Sequence, residues 1–594
     1  MALRIEDYAI IGDTETVALV GTTGAIDWLC LPRFDAAACF AALLGDETNG
    51  RWMIAPTNTP TRTTRRYRPG TLVLETTFET PDGAVRVVDG MPPREGRPDV
   101  IRLVEGISGM VSMRLELTPR FDYGQRLPLL NLVPGGAIAV AGPDALALHS
   151  SVELTVTDGA IVAEFVVSEG DQVGFDLSWF PSHEQEPESV EAAPALARTE
   201  AWWREWSGRC TYQGRHQEVV LRSLMTLKAL TYAPTGSIVA AATTSLPEEI
   251  GGVRNWDYRY CWLRDGAFTI AALARFGYTE EAVAMGAWLR RAVAGDPDQV
   301  QIMYGIGGEA RLSEFELPWL SGYEDSRPVR VGNAASDQFQ LDIYGEVIAG
   351  VYHAAVAGVR PAEHAANAPG LNLEAIVDTI ERRWREPDDG IWEVRSGRQH
   401  FTYSKFSAWY AVDRAIKLAE IAGQTFPEER WHNLRDEIHA DICQNGFDTN
   451  RQSFVQSYGA TALDASLLLI PGSGFLPDDD PRIVGTVDAV QRELAAGPFV
   501  SRYSTSGSDD GLAGSEGAFL ICSFWLVNAL AHVGRRTEAQ ANLDALLALQ
   551  NEVGLVSEEY DPVAKRFLGN FPQAFSHIGL LSSILVLDEG FTMR

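Results

Sequence analysis

The hydrophobic pattern of this chain changes period once, near residue 181, and that change constrains the fold more than any other feature. From Tyr67 to about Phe180 apolar residues recur at every second position: Val111, Met113, Leu115 and Leu117 alternate with Ser112, Arg114 and Glu116. Residues two apart share one face of a strand. Short runs of this kind (TLVLETTF, VIRLVEG, IVAEFVV, DQVGFDLSWF) are separated by PDG, PGG, GPD and TDG turns and predict an antiparallel β-sandwich. The opening segment, to about Pro60, is less regular. PSHEQEPE (181–188) interrupts the pattern, 189–208 reads as a connecting helix, and beyond His216 apolar spacings of three and four continue to the C-terminus. The chain therefore divides into an N-terminal β-sandwich domain at 1–187, a linker helix at 188–214 and a helical domain at 215–594.

Helical periodicity marks about twelve segments in the last part: 216–231, 265–277, 279–294, 334–358, 372–385, 402–422, 427–444, 461–469, 481–495, 515–534, 536–550 and 572–588. Connections from odd to even segments run from roughly 15 to 40 residues, whereas three of the five returning connections are only about one to four. Helices that run up and down collect the long loops at one end of the scaffold, where a site is built. Six helical hairpins close into an (α/α)6 barrel. An open solenoid is the alternative, but it would show a sequence repeat, and none is visible.

The 49 basic and 80 acidic residues give a formal charge of −31, which repels phosphate backbones and anionic headgroups. Nucleic-acid and membrane partners are not expected. No HExxH, Walker loop or ligand-spaced cysteine set is present, so neither a metal nor another cofactor is expected. No export or membrane-spanning pattern is seen, and six scattered cysteines read as buried thiols in a reducing cytoplasm.

Three long loops at the same end carry polar and aromatic residues. In GGVRNWDYRYCWLRDG (251–266), Trp256, Tyr258, Tyr260 and Trp262 precede Arg264 and Asp265. Aromatic faces stack on the C–H faces of sugar rings, and an adjacent Arg and Asp serve vicinal hydroxyls. In REPDDGIWEVRSGRQHF (385–401), Glu393 lies between Trp392 and Val394. Apolar neighbours destabilise its charged form and fit it for general acid duty. GLVSEEYDP (554–562) places Glu558, Glu559 and Asp561 before the last helix, where an ionised carboxylate would activate water. Alone, each loop also fits a plain reading: a capped helix start, a solvent-facing Glu, an acidic turn. Together they supply the acid and base that glycosidic cleavage needs.

At these residues the sequence resembles the glucoamylase-type inverting glycoside hydrolases, family 15, in the bacterial branch of trehalases and short-saccharide α-glucosidases. The resemblance spans nearly the whole chain: residues 11–35, YCWLRD (260–265), ELPWLSGYEDSRPVRVGNAA (316–335), GIWEVR (390–395), GLAGSEGAFLICSFW (511–525) and VSEEYD (556–561), in the family order. It implies a β-sandwich followed by an (α/α)6 barrel. It also implies Glu393 as general acid, Glu558 as general base and Tyr258 as the residue that positions the water. Arg264 and Asp265 would hold the non-reducing-end glucose, with Arg502 as a second sugar-binding arginine and Trp262, Trp392 and Phe575 as pocket walls. Starch enzymes of the family carry a second acid after the Trp-Glu pair and a large tryptophan around Asp325; here Val394 follows Glu393 and the tryptophan is missing. The expected partner is thus a small saccharide, with isomaltose- or maltose-type α-glucosides ahead of α,α-trehalose. Oligomeric state is not legible. A sugar phosphorylase of the same architecture would dispense with the base in SEEYD, and a non-catalytic sugar-binding descendant would have lost a carboxylate; both carboxylates are present.

Overall fold

A computed structural model describes residues 2–358, 371–504 and 510–590. In it the two periods become two architectures. Strands between residues 8 and 181 pair antiparallel into two sheets that share one long strand. This strand, Asp99–Thr118, pairs through its first half with Gly83–Gly90 and Gln172–Pro181. Its second half pairs with Arg51–Pro56 and Ala160–Ser168. In that second half Val111, Met113, Leu115 and Leu117 are buried and Ser112 is exposed, as the alternation predicts.

The irregular opening segment is also sheet. Tyr8–Gly12, Val17–Gly21 and Ala25–Cys30 are strands with every residue buried. The helical domain lies against them: Trp28 Nε1 donates to the Ala242 carbonyl (2.9 Å) and Asn551 Nδ2 to the Tyr8 carbonyl (2.8 Å). A strand covered on both faces has no polar side, so it loses the period-two signature.

Helix α1 (Ala192–Ser207) leads from the sheets. The barrel is built of α2 (Gln217–Ala229), α3 (Leu263–Arg275), α4 (Thr279–Ala292), α5 (Ile343–Val356), α6 (Leu373–Arg383), α7 (Thr402–Ala422), α8 (Glu428–Asn445), α9 (Pro481–Leu494), α10 (Leu520–His532), α11 (Arg536–Leu547) and α12 (Ala574–Glu589). Helices α3, α5, α7, the 3-10 segment Ala465–Leu469, α10 and α12 each pack on the next, and α12 returns to α3, which closes the inner ring. The remaining barrel helices pack outside it. The innermost position shows most fully in α12, where every residue from Ala574 to Leu587 is buried.

Three predicted helices are shorter than their periodicity. Residues 461–469 form only the 3-10 segment, because Asp464 caps it through the Ser466 N–H (2.8 Å) and Pro471 follows closely. The stretch predicted from 334 begins as a 3-10 turn capped by Asn333 and becomes α-helical at Ile343. The one predicted from 515 starts at Leu520, since Ala518–Phe519 is spent in a strand paired with Glu559–Asp561. Among the described residues no helix is long and apolar enough to cross a membrane. All six cysteines are free thiols, but Cys210 and Cys443 are only half-buried, unlike the expected uniform burial.

Candidate active site

The long connections meet at one end of the barrel around two adjoining cavities. The first is lined by Tyr258, Trp262, Arg264, Asp265, Trp392, Glu393, Arg502 and Phe575, eight of the nine residues to which the family resemblance gives a role. Tyr258, Trp392, Glu393 and Arg502 also face the second cavity. The ninth, Glu558, is buried and set back from both walls.

Glu393 reaches its place by a contorted backbone. The α6–α7 connection turns left-handed at Gly390 (φ 71°) and again at Glu393 (φ 58°), a conformation that costs a non-glycine residue about 1–2 kcal/mol. Gln338 holds the turn by donating from Nε2 to the carbonyls of Glu393 (3.2 Å) and Val394 (3.1 Å). The carboxylate then accepts Trp262 Nε1 at 2.7 Å. Burial raises its pKa above the usual carboxylate range, against the opposing pull of Arg264 and the indole N–H.

Glu558 precedes the strand Glu559–Asp561. Its Oε2 accepts the Asn570 backbone N–H (3.1 Å), and Gly569 leaves it room: a Cβ there would stand 2.5 Å from that oxygen. Burial, reinforced by the nearby charge of Glu248, pushes the Glu558 carboxyl up to about 8; the Tyr258 hydroxyl and the Asn570 N–H pull it back. Tyr258 lies within electrostatic reach of both Glu558 and Glu393, and burial keeps its own hydroxyl protonated. Glu559 and Asp561 have other tasks. Glu559 Oε2 accepts the Gly517 N–H (2.7 Å), and Asp561 caps the following turn through the N–H groups of Val563 and Ala564.

Arg264 pairs with Asp265 (3.0 Å) at the start of α3, while its guanidinium lies 4.6 Å from the centre of the Phe575 ring. Trp392 is fixed by Asp464, which accepts its indole N–H at 2.9 Å, by an edge contact with Phe519 and by a tilted contact with Trp525. Arg502 stacks over Phe519 at 4.7 Å. An Arg–Asp pair beside aromatic walls suits a polyhydroxylated ring with apolar faces.

The second cavity holds what the sequence did not mark: Glu248, Arg254, Arg395 and Asp510. Trp256, singled out only as one loop aromatic, is clamped there between the guanidiniums of Arg330 (4.6 Å) and Arg395 (4.5 Å). Carboxylate oxygens of Glu248, Glu516 and Glu559 come within 4.8 Å of one another, and the positive charge at this cluster is supplied by Arg502 and Arg254. One glutamate among 80 acidic residues carries no pattern of its own; its only signal was closeness to the Trp256 loop.

A closed helical ring with a two-chambered, aromatic-walled pocket and a buried acid in the shared wall is the architecture of a glycoside hydrolase. The chain belongs to the glycosyl hydrolases family 15, whose family model matches residues 214–585, and a trehalase-like N-terminal model matches 1–199. It is a glycoside hydrolase by class. A trehalase of Mycobacterium tuberculosis is 39% identical over 613 residues, covering 98% of this chain and 89% of that protein. A trehalase of Thermoplasma acidophilum is 37% identical over 588 residues, covering 97% and 99%. A bacterial glucoamylase complexed with acarbose shares the fold with a TM-score of 0.74 at 12% identity, covering 100% of this chain and 95% of its own.

Proposed function

We propose that this protein is an inverting α,α-trehalase. One glucosyl unit sits in the first chamber with its hydroxyls on Arg264 and Asp265, and the leaving glucose occupies the second. Glu393, protonated, gives its proton to the glycosidic oxygen as the C1–O bond breaks. Glu558, ionised, takes a proton from the water whose oxygen bonds to C1 from the opposite face, and Tyr258 orients that water. Atoms balance as one disaccharide plus one water giving two glucose molecules.

The observation that carries the reading is that Glu393 lines both chambers, so the bond it would protonate lies between two sugar sites. The charged lining of the second chamber, with Glu248, Arg254, Arg395 and Asp510, suits a small, fully hydroxylated leaving sugar. The identity to proteins named trehalase across nearly the whole chain favours trehalose over the isomaltose- or maltose-type substrate expected from the sequence.

The test offers trehalose, isomaltose, maltose, kojibiose and nigerose to the pure protein and follows each anomer of glucose by proton NMR in the first minutes. Inversion at one anomeric carbon of trehalose yields equal amounts of β-glucose, from the attacked unit, and α-glucose, from the leaving unit. Preferred turnover of isomaltose or maltose would return the assignment to the α-glucosidases. Initial release of α-glucose alone would mark retention, and glucose phosphate formed only with added phosphate would mark a phosphorylase.

A further inference from the structure

Glu248 is a buried carboxylate on the wall of the second chamber for which the proposed chemistry has no use. It follows the strand Thr244–Pro247, whose partner Asn255–Asp257 carries Trp256. Its two oxygens face different structures. Oε1 accepts the Trp256 indole N–H at 3.1 Å, and Oε2 accepts from Arg502 at 2.9 Å. Both donors are walls of the leaving-group chamber.

The charges around it do not cancel. Four carboxyls, Glu248, Glu516, Glu558 and Glu559, meet two guanidiniums, Arg502 and Arg254, and Arg254 is also taken by Asp510 at 2.7 Å. The other titratable groups facing this set are the hydroxyls of Tyr258 and Tyr503 and the Cys522 thiol. In a dry interior such an excess of like charge is relieved by holding protons. Negative charge is best supported on Glu248, both of whose oxygens are met by donors, whereas Glu558 and Glu559 each have a buried oxygen, Oε1, without one.

We propose that Glu248 is a positioning residue: it fixes the leaving-group wall through Trp256 and Arg502, and its carboxylate, within 4.8 Å of that of Glu559, sets a negative charge beside the base, Glu558. This rests on the reading of Glu558 as the base. Burial raises the Glu248 pKa too, but Arg502 and the indole N–H oppose it, and Glu248 in turn is the largest charge acting on Glu558. One carboxylate thus ties the second sugar site to the group that activates water.

The experiment is kcat/KM against pH for the full-length wild type and Glu248→Gln, with Glu558→Gln alongside. Gln keeps the shape and its amide oxygen still accepts from Trp256, while the charge and the acceptor for Arg502 are lost together. The acidic limb, which reports the coupled carboxyls that include Glu558, should move to lower pH by about one unit, with kcat on the plateau reduced several-fold because the base is weaker. A fall in rate with the acidic limb unmoved would mean a merely structural role and overturn the proposal. Loss of turnover in Glu558→Gln keeps that outcome separate from failure of the base assignment, which full turnover there would signal. If Glu248→Gln does not fold, Glu248→Asp decides. It retains the charge, so a limb within about 0.3 unit of wild type and a raised KM support the proposal, and a limb displaced by a full unit overturns it.

Discussion

A carboxyl group in water loses its proton near pH 4.3, and neither Glu393 nor Glu558 is in water. Burial raises both, Glu558 to about 8. The signs follow from the proposed roles. The base must be ionised, so kcat/KM rises as pH increases through the Glu558 pKa; the acid must be protonated, so it falls as pH increases through that of Glu393. Both limbs are displaced upward, and the bell should lie nearer neutrality than the range of about pH 4–5 that two ordinary carboxyls give. Because the groups are coupled, each limb belongs to the cluster rather than to one residue. A pH profile from 3 to 10 checks this, and an optimum in the ordinary carboxylate range would contradict it. The two roles separate by leaving group. Glu393→Gln should lose about 10²–10⁴-fold on trehalose but retain activity on α-glucosyl fluoride, whose leaving group needs no proton. Glu558→Gln should lose both, since each substrate still needs activated water.

The element that assembles the site is the connection from α2 to α3, and its anchor is Arg259, between Tyr258 and Tyr260. Arg259 is fully buried, forms a two-pronged pair with Asp257, and donates to the Tyr123 hydroxyl (2.8 Å) and the Ala36 carbonyl (3.0 Å). The loop that carries Tyr258 and Trp262 is therefore pinned by the N-terminal sheets. Arg259→Ala would leave Asp257 buried and unpaired, at a cost of about 3–5 kcal/mol, and would free Tyr258 to move. A lowered melting temperature with kcat reduced more than KM is raised is the expected result; kinetics unchanged from wild type would refute the anchoring. Arg259 also shows why legibility in the sequence was uneven. Glu393 and the Arg264–Asp265 pair could be read because their chemistry depends on neighbours in sequence. Arg259 and Glu248 depend on partners 136 and 254 residues away, which no local pattern encodes. The same division holds for the backbone. Helices α7 and α9 match their predicted spans closely because one amphipathic or wholly apolar period decides them. The opening strands and the helix start at Leu520 were hidden because the helical domain against the strands, and the Glu559–Asp561 strand against Ala518–Phe519, decide them.

At the scale of the molecule, sheets and barrel share one hydrophobic core. The largest buried cluster runs without a break from Ile5 and Trp28 through Trp203 and Leu224 to Phe575 and Leu587. Polar contacts cross the same boundary: Arg65 to Glu552 (2.6 Å), Tyr323 Oη to the Leu3 carbonyl (2.9 Å), and Arg259 to Tyr123. Separating the two parts would break the Arg65–Glu552 pair and expose the apolar surface of the shared core. The loss of apolar burial alone costs several kcal/mol, comparable with the net stability of about 5–15 kcal/mol typical of a folded domain. The barrel should therefore not outlive the sheets. Calorimetry of the intact chain is expected to show one transition whose calorimetric and van't Hoff enthalpies agree, and residues 209–594 expressed alone should aggregate or lack turnover. Two resolved transitions, or a soluble active barrel fragment, would show that the sheets only decorate the site. The same argument gives the sheets a part in catalysis without a catalytic residue: they form the rigid side of the crevice against which the Tyr258 loop is held, so a substitution at Trp28 or Tyr123 should register in kcat although neither lines the cavities.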